Sequence, residues 1–387
     1  MLTILAVANY RSLRKLVVSL GNLNVVSGEN GSGKSNLHRA LRLLAEKSQG
    51  DVVASLAREG GLASTLWAGP ETFGRAVRRG EFDVQPTVRR ERVNLRLGFA
   101  SQPLSYCIDL GLPAPSNSAF AHDPEIKREC IWAGPHWRPS SLLVDRDGPL
   151  VRARKTRSDW NILTSNLASF DSMLTQIADP KRAPEVLAIR EQIRSWRFYD
   201  HFRSDTDAPA RQHQLGTRTL ALNNDGRDVA AALQTIREIG DADGLDQAIE
   251  SAFPGSTLKI TSDGGRFTLE LAQHGLLRPL TSAELSDGTL RYLLLIAALL
   301  TPRPPALMIL NEPETSLHPD LLPALARLIA RAAKRSQIAV VTHASRLIAA
   351  LTEQEGGNSI TLEKTFGETT IVRAKPMDLL TWNWPAR

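Results

Sequence analysis

The chain has 387 residues, of which 42% are hydrophobic and 23% are charged. This composition excludes a mainly disordered protein, and the length exceeds that of one average domain. The longest apolar run, Tyr292–Leu300, has nine residues, well short of the roughly 20 residues of a membrane span. The 47 Lys and Arg residues against 41 Asp and Glu residues give a net charge of +6, which permits an anionic partner without requiring one.

Two features favour a cytoplasmic protein with no membrane partner. No basic leader precedes the apolar stretch at the N-terminus, so we expect no signal peptide. Cys107 and Cys130, the two cysteines of the sequence, cannot make a disulfide framework or a four-cysteine zinc site. A reducing compartment fits this cysteine usage best.

The N-terminal segment predicts strand, turn, strand, loop and helix. Three apolar runs predict the strands: Leu2–Val7, Leu16–Leu20 and Asn22–Ser27. From Lys34 onward the apolar residues change to helical spacing, at Leu37, Ala40, Leu41 and Leu44. Their recurrence at i, i+3, i+4 and i+7 indicates an amphipathic helix.

A glycine-rich stretch between the third predicted strand and this helix fits G-x-x-x-x-G-K-S without a mismatch. The predicted nucleotide-binding residues are Gly28, Glu29, Asn30, Gly31, Ser32, Gly33, Lys34, Ser35 and the following Asn36. Glycines let backbone N–H groups converge on phosphate oxygens, and a helix N-terminus favours an anion. We expect Lys34 to reach the outer phosphates and Ser35 to contact a magnesium ion. The strand before the stretch and the helix after it disfavour a chance glycine-rich turn.

The stretch from about residue 50 to 270 predicts antiparallel strands mixed with helices. The predicted strands are Val88–Phe99 and Leu104–Leu112, and hairpin turns are predicted at 145–148 and 263–265. The predicted helices are Leu163–Ile177, Pro184–Phe198 and Asp228–Ile239. Sustained heptads and internal repeats are absent from the sequence, so we expect no long coiled coil.

Two basic clusters lie in this middle stretch. The first consists of Arg75, Arg78, Arg79, Arg89, Arg90, Arg92 and Arg96, and the second of Arg152, Arg154, Lys155 and Arg157. They are either a surface that follows nucleic-acid phosphates or a solvated strand face of mixed charge. The aromatic residues Trp132, Trp137 and Trp160 are candidates for base stacking or for ordinary packing.

After about residue 280, alternating strands and helices predict a parallel sheet. The apolar run Ala306–Leu310 is followed by Asn311 and Glu312, and the run Ile338–Thr342 is followed by His343. Carboxyl ends of parallel strands meet at one edge, where open α/β sheets bind ligands. We therefore expect these three side chains at that edge.

The segment Leu285–Gly288 precedes another apolar helix. Ser286 and Gly288 at the start of that helix can form a second anion site. The alternative is an ordinary helix cap formed by Ser286 or Asp287.

The order of these motifs resembles the ABC-type ATPase heads of the RecF/SMC/OLD-like group, often labelled AAA-family ATPases. The resemblance covers about residues 1–45 and 280–345. It rests on the motifs above, on Asn9–Leu13, and on Asn311–Pro319, which is close to the group's D-E-P-E-x-x-L-H-P. It implies an α/β fold, with a P-loop ABC-type ATPase head that has a mixed β-sheet core, an antiparallel β-subdomain and a helical lid.

The resemblance also implies a division of the chain and a set of partners. Residues 1–45 plus 275–387 would form the ATP-binding core, and residues 46–274 an insert that offers a surface for DNA or a partner. The implied cofactors are ATP and Mg²⁺, and the implied partner is a second copy in an ATP-dependent homodimer. The missing heptads and the 44 residues after His343 predict a head without a coiled-coil arm or an appended nuclease domain. A nuclease or other effector would then be separately encoded.

Roles carry over to individual residues. Gly28–Ser35 corresponds to the Walker A motif, with Lys34 among the catalytic residues, and Ser286 with Gly288 to the signature motif that touches the ATP of the second subunit. Asn311 takes the position that binds magnesium water, Glu312 that of the catalytic base, and His343 that of the switch histidine. Ser35 and Asn311 are thus the predicted metal-binding residues. The glutamine of the Q-loop has three candidates: Gln85, Gln102 and Gln176.

One position departs from the group's pattern, because Asn311 stands where the group usually has Asp. An amide accepts a hydrogen bond from metal-bound water but brings no negative charge, so weaker metal binding or slower turnover is expected. Glu314 is a candidate for compensating that loss.

Two functions follow from this pattern. The first is an ATP-hydrolysing enzyme in DNA repair, DNA maintenance or anti-phage defence. The second is a slow or non-hydrolysing ATP-dependent scaffold that regulates a nuclease or toxin partner. A transporter subunit is disfavoured because 252 residues separate Lys34 from Ser286.

Overall fold

The computed structural model describes residues 1–47, 50, 52–71, 79, 93–156, 158–372 and 382–385. The chain divides into two units, each assembled from separated segments. The parallel-sheet unit comprises residues 1, 21–27 and 195–360, and the antiparallel-sheet unit comprises residues 2–20, 28–194 and 361–387. The predicted division into 1–45 plus 275–387 and 46–274 follows different bounds and stays a prediction about where ATP binds.

The strands of the described residues are, in chain order, β1 (Leu2–Tyr10), β2 (Leu13–Ser19), β3 (Leu23–Gly28), β4 (Leu95–Ser101), β5 (Leu104–Gly111), β6 (Glu125–Ala133), β7 (Leu142–Asp147), β8 (Leu150–Arg154), β9 (Trp160–Thr164), β10 (Arg197–Tyr199), β11 (Gln214–Leu215), β12 (Thr257–Asp263), β13 (Arg266–Ala272), β14 (Leu280–Thr281), β15 (Leu307–Asn311), β16 (Gln337–Val341), β17 (Gly357–Thr365) and β18 (Glu368–Ile371).

The α-helices of the same residues are α1 (Lys34–Lys47), α2 (Val52–Arg58), α3 (Leu62–Thr65), α4 (Met173–Gln176), α5 (Pro184–Arg194), α6 (Val229–Ile239), α7 (Ala242–Ala252), α8 (Asp287–Leu299), α9 (Leu322–Ala333) and α10 (Ser345–Thr352). Short 3₁₀ turns occur at Pro139–Ser141, Pro209–Arg211 and Pro319–Leu321. Among the described helices, none combines the length and the apolarity needed to cross a membrane.

The antiparallel-sheet unit contains a sheet of eight described strands in the order β2-β1-β4-β5-β6-β7-β8-β9. Every neighbouring pair is antiparallel. Because successive side chains point to opposite faces, one face collects buried apolar residues: Leu97, Phe99, Ile108, Ile131 and Val144. The other face carries ion pairs that cross the strands, such as Arg96 with Asp109 and Arg152 with Asp145.

A buried charge pair interrupts the apolar face. The side chains of Glu129 and Arg146 are both 0% exposed, and Arg146 Nη1 lies 2.8 Å from Glu129 Oε2. Glu129 also accepts hydrogen bonds from Tyr106 Oη (2.7 Å), Ser172 Oγ (2.6 Å) and the Met173 amide (2.8 Å). This set of partners satisfies the carboxylate without water.

The parallel-sheet unit contains the strands β10, β15, β16 and β3, which pair in that order and in parallel. Helices α6, α8 and α9 share one apolar core with these strands, which includes Leu23, Leu233, Leu293, Leu310 and Ile329. A small antiparallel sheet, β11-β13-β12 with β14 beside β13, belongs to the same unit. Together with the antiparallel sheet described above, these layers confirm the predicted α/β fold class.

Several predicted elements need correction. The helix predicted at Leu163–Ile177 is wrong, because Trp160–Thr164 pairs with β8 as strand β9 and the helix there is the short α4. The helix predicted at Pro184–Phe198 ends at Arg194, since the next residues pair with β15 as β10. In both places, pairing with a distant strand overrides the local helical pattern.

The predicted hairpins are confirmed with one shift. Strands β12 and β13 flank Gly264 and Gly265 as expected. The turn predicted at 145–148 lies later, because Asp145 and Arg146 are buried strand residues and β8 begins only at Leu150. Of the strand predicted at Val88–Phe99, residues 88–92 lie outside the described residues, and β4 begins at Leu95.

Candidate functional site

The glycine-rich stretch has a backbone that only glycine adopts easily. Gly28, Gly31 and Gly33 have φ angles of 145°, 82° and 107°, a region that other residues rarely occupy. A side chain at Gly28 would clash with the Leu362 carbonyl oxygen, and one at Gly33 would clash with Thr369. A side chain at Gly31 would meet nothing within 4 Å.

This loop gathers hydrogen-bond donors, several of which lack an acceptor among the described residues. Lys34 is almost fully buried, and its Nζ donates to the carbonyl oxygens of Gly28 (2.6 Å) and Glu29 (2.9 Å). The amides of Lys34, Ser35 and Asn36, which open helix α1, have no carbonyl acceptor in the described part of the chain. Ser32 Oγ is buried and likewise has no hydrogen-bond partner there. This donor set fits a phosphate group, as the sequence predicts.

Hydrogen bonds that involve Thr369 and Ser12 support the glycine-rich loop. Thr369 Oγ1 donates to the carbonyl oxygen of Ser32 (2.8 Å) and lies 2.7 Å from Ser12 Oγ. Ser12 Oγ accepts a hydrogen bond from Asn36 Nδ2 (2.8 Å). Nothing in the local sequence of β18 indicates that Thr369 contacts a loop residue 337 positions earlier.

The parallel strands bring Glu312 and His343 together. His343 Nδ1 lies 3.6 Å from Glu312 Oε1, and both side chains are about half exposed. Asn311 ends β15, and the Glu312 amide donates to the Val341 carbonyl oxygen (2.8 Å). Glu312 has a φ of 48°, a left-handed conformation that is uncommon outside glycine and that often marks functional positions.

The ends of three strands share one edge of the parallel sheet. Asn311 lies opposite Val341, and Val341 lies opposite Val26. Strand β3 ends two residues after Val26, at Gly28, which is also the first residue of the glycine-rich loop. His343 follows Val341 by the same two residues. Strand β3 therefore ends at the same sheet edge as the strands that precede Glu312 and His343, the edge where α/β sheets bind ligands.

The signature segment has a clear local structure. Ser286 is the N-cap of α8, where its Oγ accepts from the Thr289 amide (3.2 Å), so the cap expected as one alternative is present. Ser286 remains exposed. A side chain at Gly288 would come within 2.7 Å of the Ser316 carbonyl oxygen. The close approach of α8 to the loop after β15 therefore requires glycine at this position, whether or not the segment binds a nucleotide.

Arg211 fixes the segment that leads into α8. Its nearly buried guanidinium donates to the carbonyl oxygens of Ser282 (3.0 Å), Ala283 (3.1 Å) and Leu285 (2.7 Å). It also pairs with Asp287 at 2.7 Å. Local sequence does not indicate this role, because Arg211 lies 71 residues before the first of the carbonyls to which it donates.

A second contact steadies the same segment. Arg278 Nη2 lies 2.6 Å from Glu284 Oε1, and the Thr281 amide and hydroxyl also donate to Glu284. Arg278 and then the Thr281 donors lower the pKa of the Glu284 carboxyl to about 2. Glu284 is therefore ionised throughout the neutral range.

The basic clusters are only partly visible. Arg75, Arg78, Arg89, Arg90, Arg92 and Arg157 lie outside the described residues. Arg96 and Arg152 are engaged in ion pairs, and the guanidinium groups of Arg152 and Arg154 lie 4.9 and 4.6 Å from the Trp160 ring. Trp132 is fully buried and packs edge-on against Trp137, so its role is packing.

The Q-loop candidates are not distinguished by the structure. Gln102 lies exposed between β4 and β5, and Gln176 is exposed at the end of α4. Gln85 lies outside the described residues.

A family model matches most of the chain. The family model described as "AAA domain, putative AbiEii toxin, Type IV TA system" matches residues 23–349. This range contains the glycine-rich loop, Ser286, Glu312 and His343. No curated protein sequence gives a significant match.

Solved structures show a similar fold. The "SmcHead bound to the C-winged helix domain of ScpA" is 14% identical with a TM-score of 0.51, and the match covers 96% of each chain. An SMC head domain from Thermotoga maritima is 13% identical with a TM-score of 0.49, covering 97% of this chain and 99% of the other. The first likeness supports the fold of an SMC-type ATPase head, as the sequence motifs imply.

Proposed function

Because the chain belongs to the AAA-domain family whose model matches residues 23–349, we propose that it is an ABC-type ATPase that binds ATP with Mg²⁺ and hydrolyses it. One observation carries the proposal. Strand β3, which leads into the glycine-rich loop, ends at the same sheet edge as the strands that precede Glu312 and His343. Backbone amides of that loop, at the start of α1, lack acceptors among the described residues. These are the parts that phosphoryl transfer to water requires, namely phosphate positioning and a group that holds the water.

The loop residues neutralise and orient the phosphates in this proposal. Lys34 exchanges its contacts with the Gly28 and Glu29 carbonyl oxygens for phosphate oxygens, and the amides at the start of α1 donate beside it. Ser35 would supply its hydroxyl oxygen to Mg²⁺, and Asn311 would accept a hydrogen bond from a water bound to that ion. The bound ion would offset the phosphate charge. Asn311 contributes an acceptor without a charge, which favours slow turnover.

Glu312 and His343 act on the attacking water and the γ-phosphate. The half-exposed Glu312 carboxylate is available to a water molecule, and its left-handed backbone turns it away from the path of β15. In this proposal, His343 contacts the terminal phosphate, which its distance of 3.6 Å from that carboxylate supports. Ser286, exposed at the N-terminus of α8, serves the ATP of a second copy in an ATP-dependent homodimer.

The biological role is DNA repair, DNA maintenance or anti-phage defence. The alternative is an ATP-dependent scaffold that hydrolyses slowly and regulates a separately encoded nuclease or toxin partner. Asn311 supports the alternative, because an uncharged residue at this position favours slow turnover. DNA is a further candidate partner through the two basic clusters of the middle stretch.

Steady-state hydrolysis by the full chain, with and without DNA, tests the proposal. Lys34→Ala is expected to abolish ATP binding, because it removes the cation from the loop. Glu312→Gln is expected to retain binding and to lose turnover by about 10²–10⁴-fold, as for a positioned acid–base group. Lys334→Ala and Glu353→Gln, at exposed positions that follow helices α9 and α10, are the matched controls. Unchanged turnover in Glu312→Gln would show that another residue holds the water.

A further inference from the structure

We propose that Glu314 is a positioning residue that holds the switch histidine, His343, against Glu312. The inference rests on the proposed function and deepens it, because it assigns the group that sets the geometry of the hydrolytic pair. From its position in the sequence, Glu314 is a candidate only for supplying the charge missing at Asn311. The contacts of its carboxylate indicate a different role.

One oxygen of Glu314 gathers three donors from the turn that follows β16. Glu314 Oε1 accepts hydrogen bonds from Thr342 Oγ1 (2.5 Å), the His343 amide (3.2 Å) and the Ala344 amide (3.3 Å). The side chain is 8% exposed, so these donors take the place of water. The carboxylate therefore fixes the backbone on both sides of the His343 side chain.

The imidazole lies between two carboxylates as a result. His343 Nδ1 is 3.6 Å from Glu314 Oε1 and 3.6 Å from Glu312 Oε1. Glu314 is buried whereas Glu312 is half exposed. The buried carboxylate thus anchors the turn, and the exposed one remains available to water.

The second oxygen of Glu314 argues against a purely structural role. Glu314 Oε2 is buried and has no hydrogen-bond partner among the described residues. A buried, half-satisfied carboxylate costs stability, and such costs are expected at functional sites. Thr342 Oγ1 also accepts from the Ala344 amide (3.1 Å). With a neutral side chain at position 314, the turn would therefore keep this hydrogen bond.

The first measurement does not depend on hydrolysis. Amide hydrogen exchange of a peptide that contains His343 and Ala344 is compared among the wild type, Glu314→Ala, Glu314→Gln and a Glu353→Ala control. Glu314→Ala is expected to accelerate exchange there by about 10-fold or more, because the His343 amide loses its acceptor and the Ala344 amide keeps only Thr342 Oγ1. Glu314→Gln keeps an acceptor oxygen and is expected to change exchange less. Exchange that is the same in Glu314→Ala and the wild type would overturn the proposal.

The second measurement is a double-mutant cycle on turnover. Glu314→Ala, His343→Ala and the combined variant are assayed for kcat and for the KM of ATP. If Glu314 acts through His343, the double variant loses no more kcat than His343→Ala alone, and KM changes by less than about 3-fold. Losses that multiply, or a loss in Glu314→Ala that added Mg²⁺ restores, would overturn the positioning role. Absence of hydrolysis in the wild type would contradict the proposed function, and the exchange result would still decide whether Glu314 holds the turn.

Discussion

At the scale of single residues, the polar end of β15 combines an amide and two carboxylates with different surroundings. Asn311 ends the strand, Glu312 is half exposed in a left-handed conformation, and Glu314 is buried against the next turn. Three neighbouring residues of similar chemistry can therefore serve metal binding, water activation and positioning. Their environments, rather than their side-chain types, separate these roles.

Asn311 offers the sharpest test at this scale. We expect Asn311→Asp to raise turnover or to lower the Mg²⁺ concentration required, because the carboxylate adds the negative charge that the amide lacks. ATP hydrolysis measured across a Mg²⁺ titration checks this, with Asn117→Asp at an exposed position as the control. Loss of activity in Asn311→Asp would contradict the roles assigned to Asn311 and Glu312.

The sequence predicted Glu312 and His343 because each follows a buried strand, and strand ends of a parallel sheet converge. Glu314, Arg211 and Thr369 could not be assigned these contacts in the same way. The groups on which they act lie 28 residues away for Glu314, 71 residues away for Arg211 and 337 residues away for Thr369. Such contacts depend on tertiary packing, which no local spacing encodes.

At the scale of elements, the antiparallel sheet depends on a charge pair inside its apolar face. The turn predicted at 145–148 was misplaced because Asp145 and Arg146 are buried residues of strand β7. Charged residues seldom lie in a core. Arg146 does so because Glu129 on the neighbouring strand and the carbonyl oxygens of Gly148, Ala168 and Asp171 receive its N–H groups. Sequence patterns therefore located the hairpin but could not locate its turn.

Removing one partner of this pair should destabilise the sheet strongly. Glu129→Ala leaves Arg146 buried without its counter-charge and is expected to lower the free energy of unfolding by about 3–5 kcal/mol. Chemical denaturation followed by circular dichroism measures the change. Asp205→Ala, which breaks the exposed Arg203–Asp205 pair, is the matched control and should leave the denaturation midpoint close to that of the wild type. Equal midpoints for the two variants would show that Arg146 finds other compensation.

At the scale of the whole molecule, the proposed cycle needs a second copy of the chain. Ser286 is exposed at the start of α8, and Arg211 with Asp287 holds the segment around it in one conformation. A segment ordered in this way before its ligand arrives loses little conformational freedom on binding. The ordered conformation around Ser286 thus supports the proposal that this surface binds the nucleotide held by a second copy of the chain.

We expect ATP to shift the Glu312→Gln variant toward a dimer, because bound ATP is then not hydrolysed. Sedimentation velocity with saturating ATP and Mg²⁺ measures this shift. Ser286→Arg should prevent the dimer while single chains still bind ATP, since the added side chain fills the space of the partner's nucleotide. Ser116→Arg, at an exposed position of the antiparallel-sheet unit, is the control. A monomer that is unchanged by ATP would contradict the dimerisation proposal.

Strand β3 also constrains how this protein is made. Asn24 in β3 donates a hydrogen bond to the carbonyl oxygen of Ile338 in β16, 314 residues further along the chain. At about 5–20 residues per second, the ribosome takes roughly 15–60 s to reach that neighbour. Throughout that interval, the apolar strand β3 lacks its neighbour β16 and keeps an unpaired edge. An unpaired edge of this kind makes the nascent chain a candidate for chaperone binding. A chain released before β18 is complete would carry the glycine-rich loop without Thr369, whose hydroxyl donates to the Ser32 carbonyl oxygen.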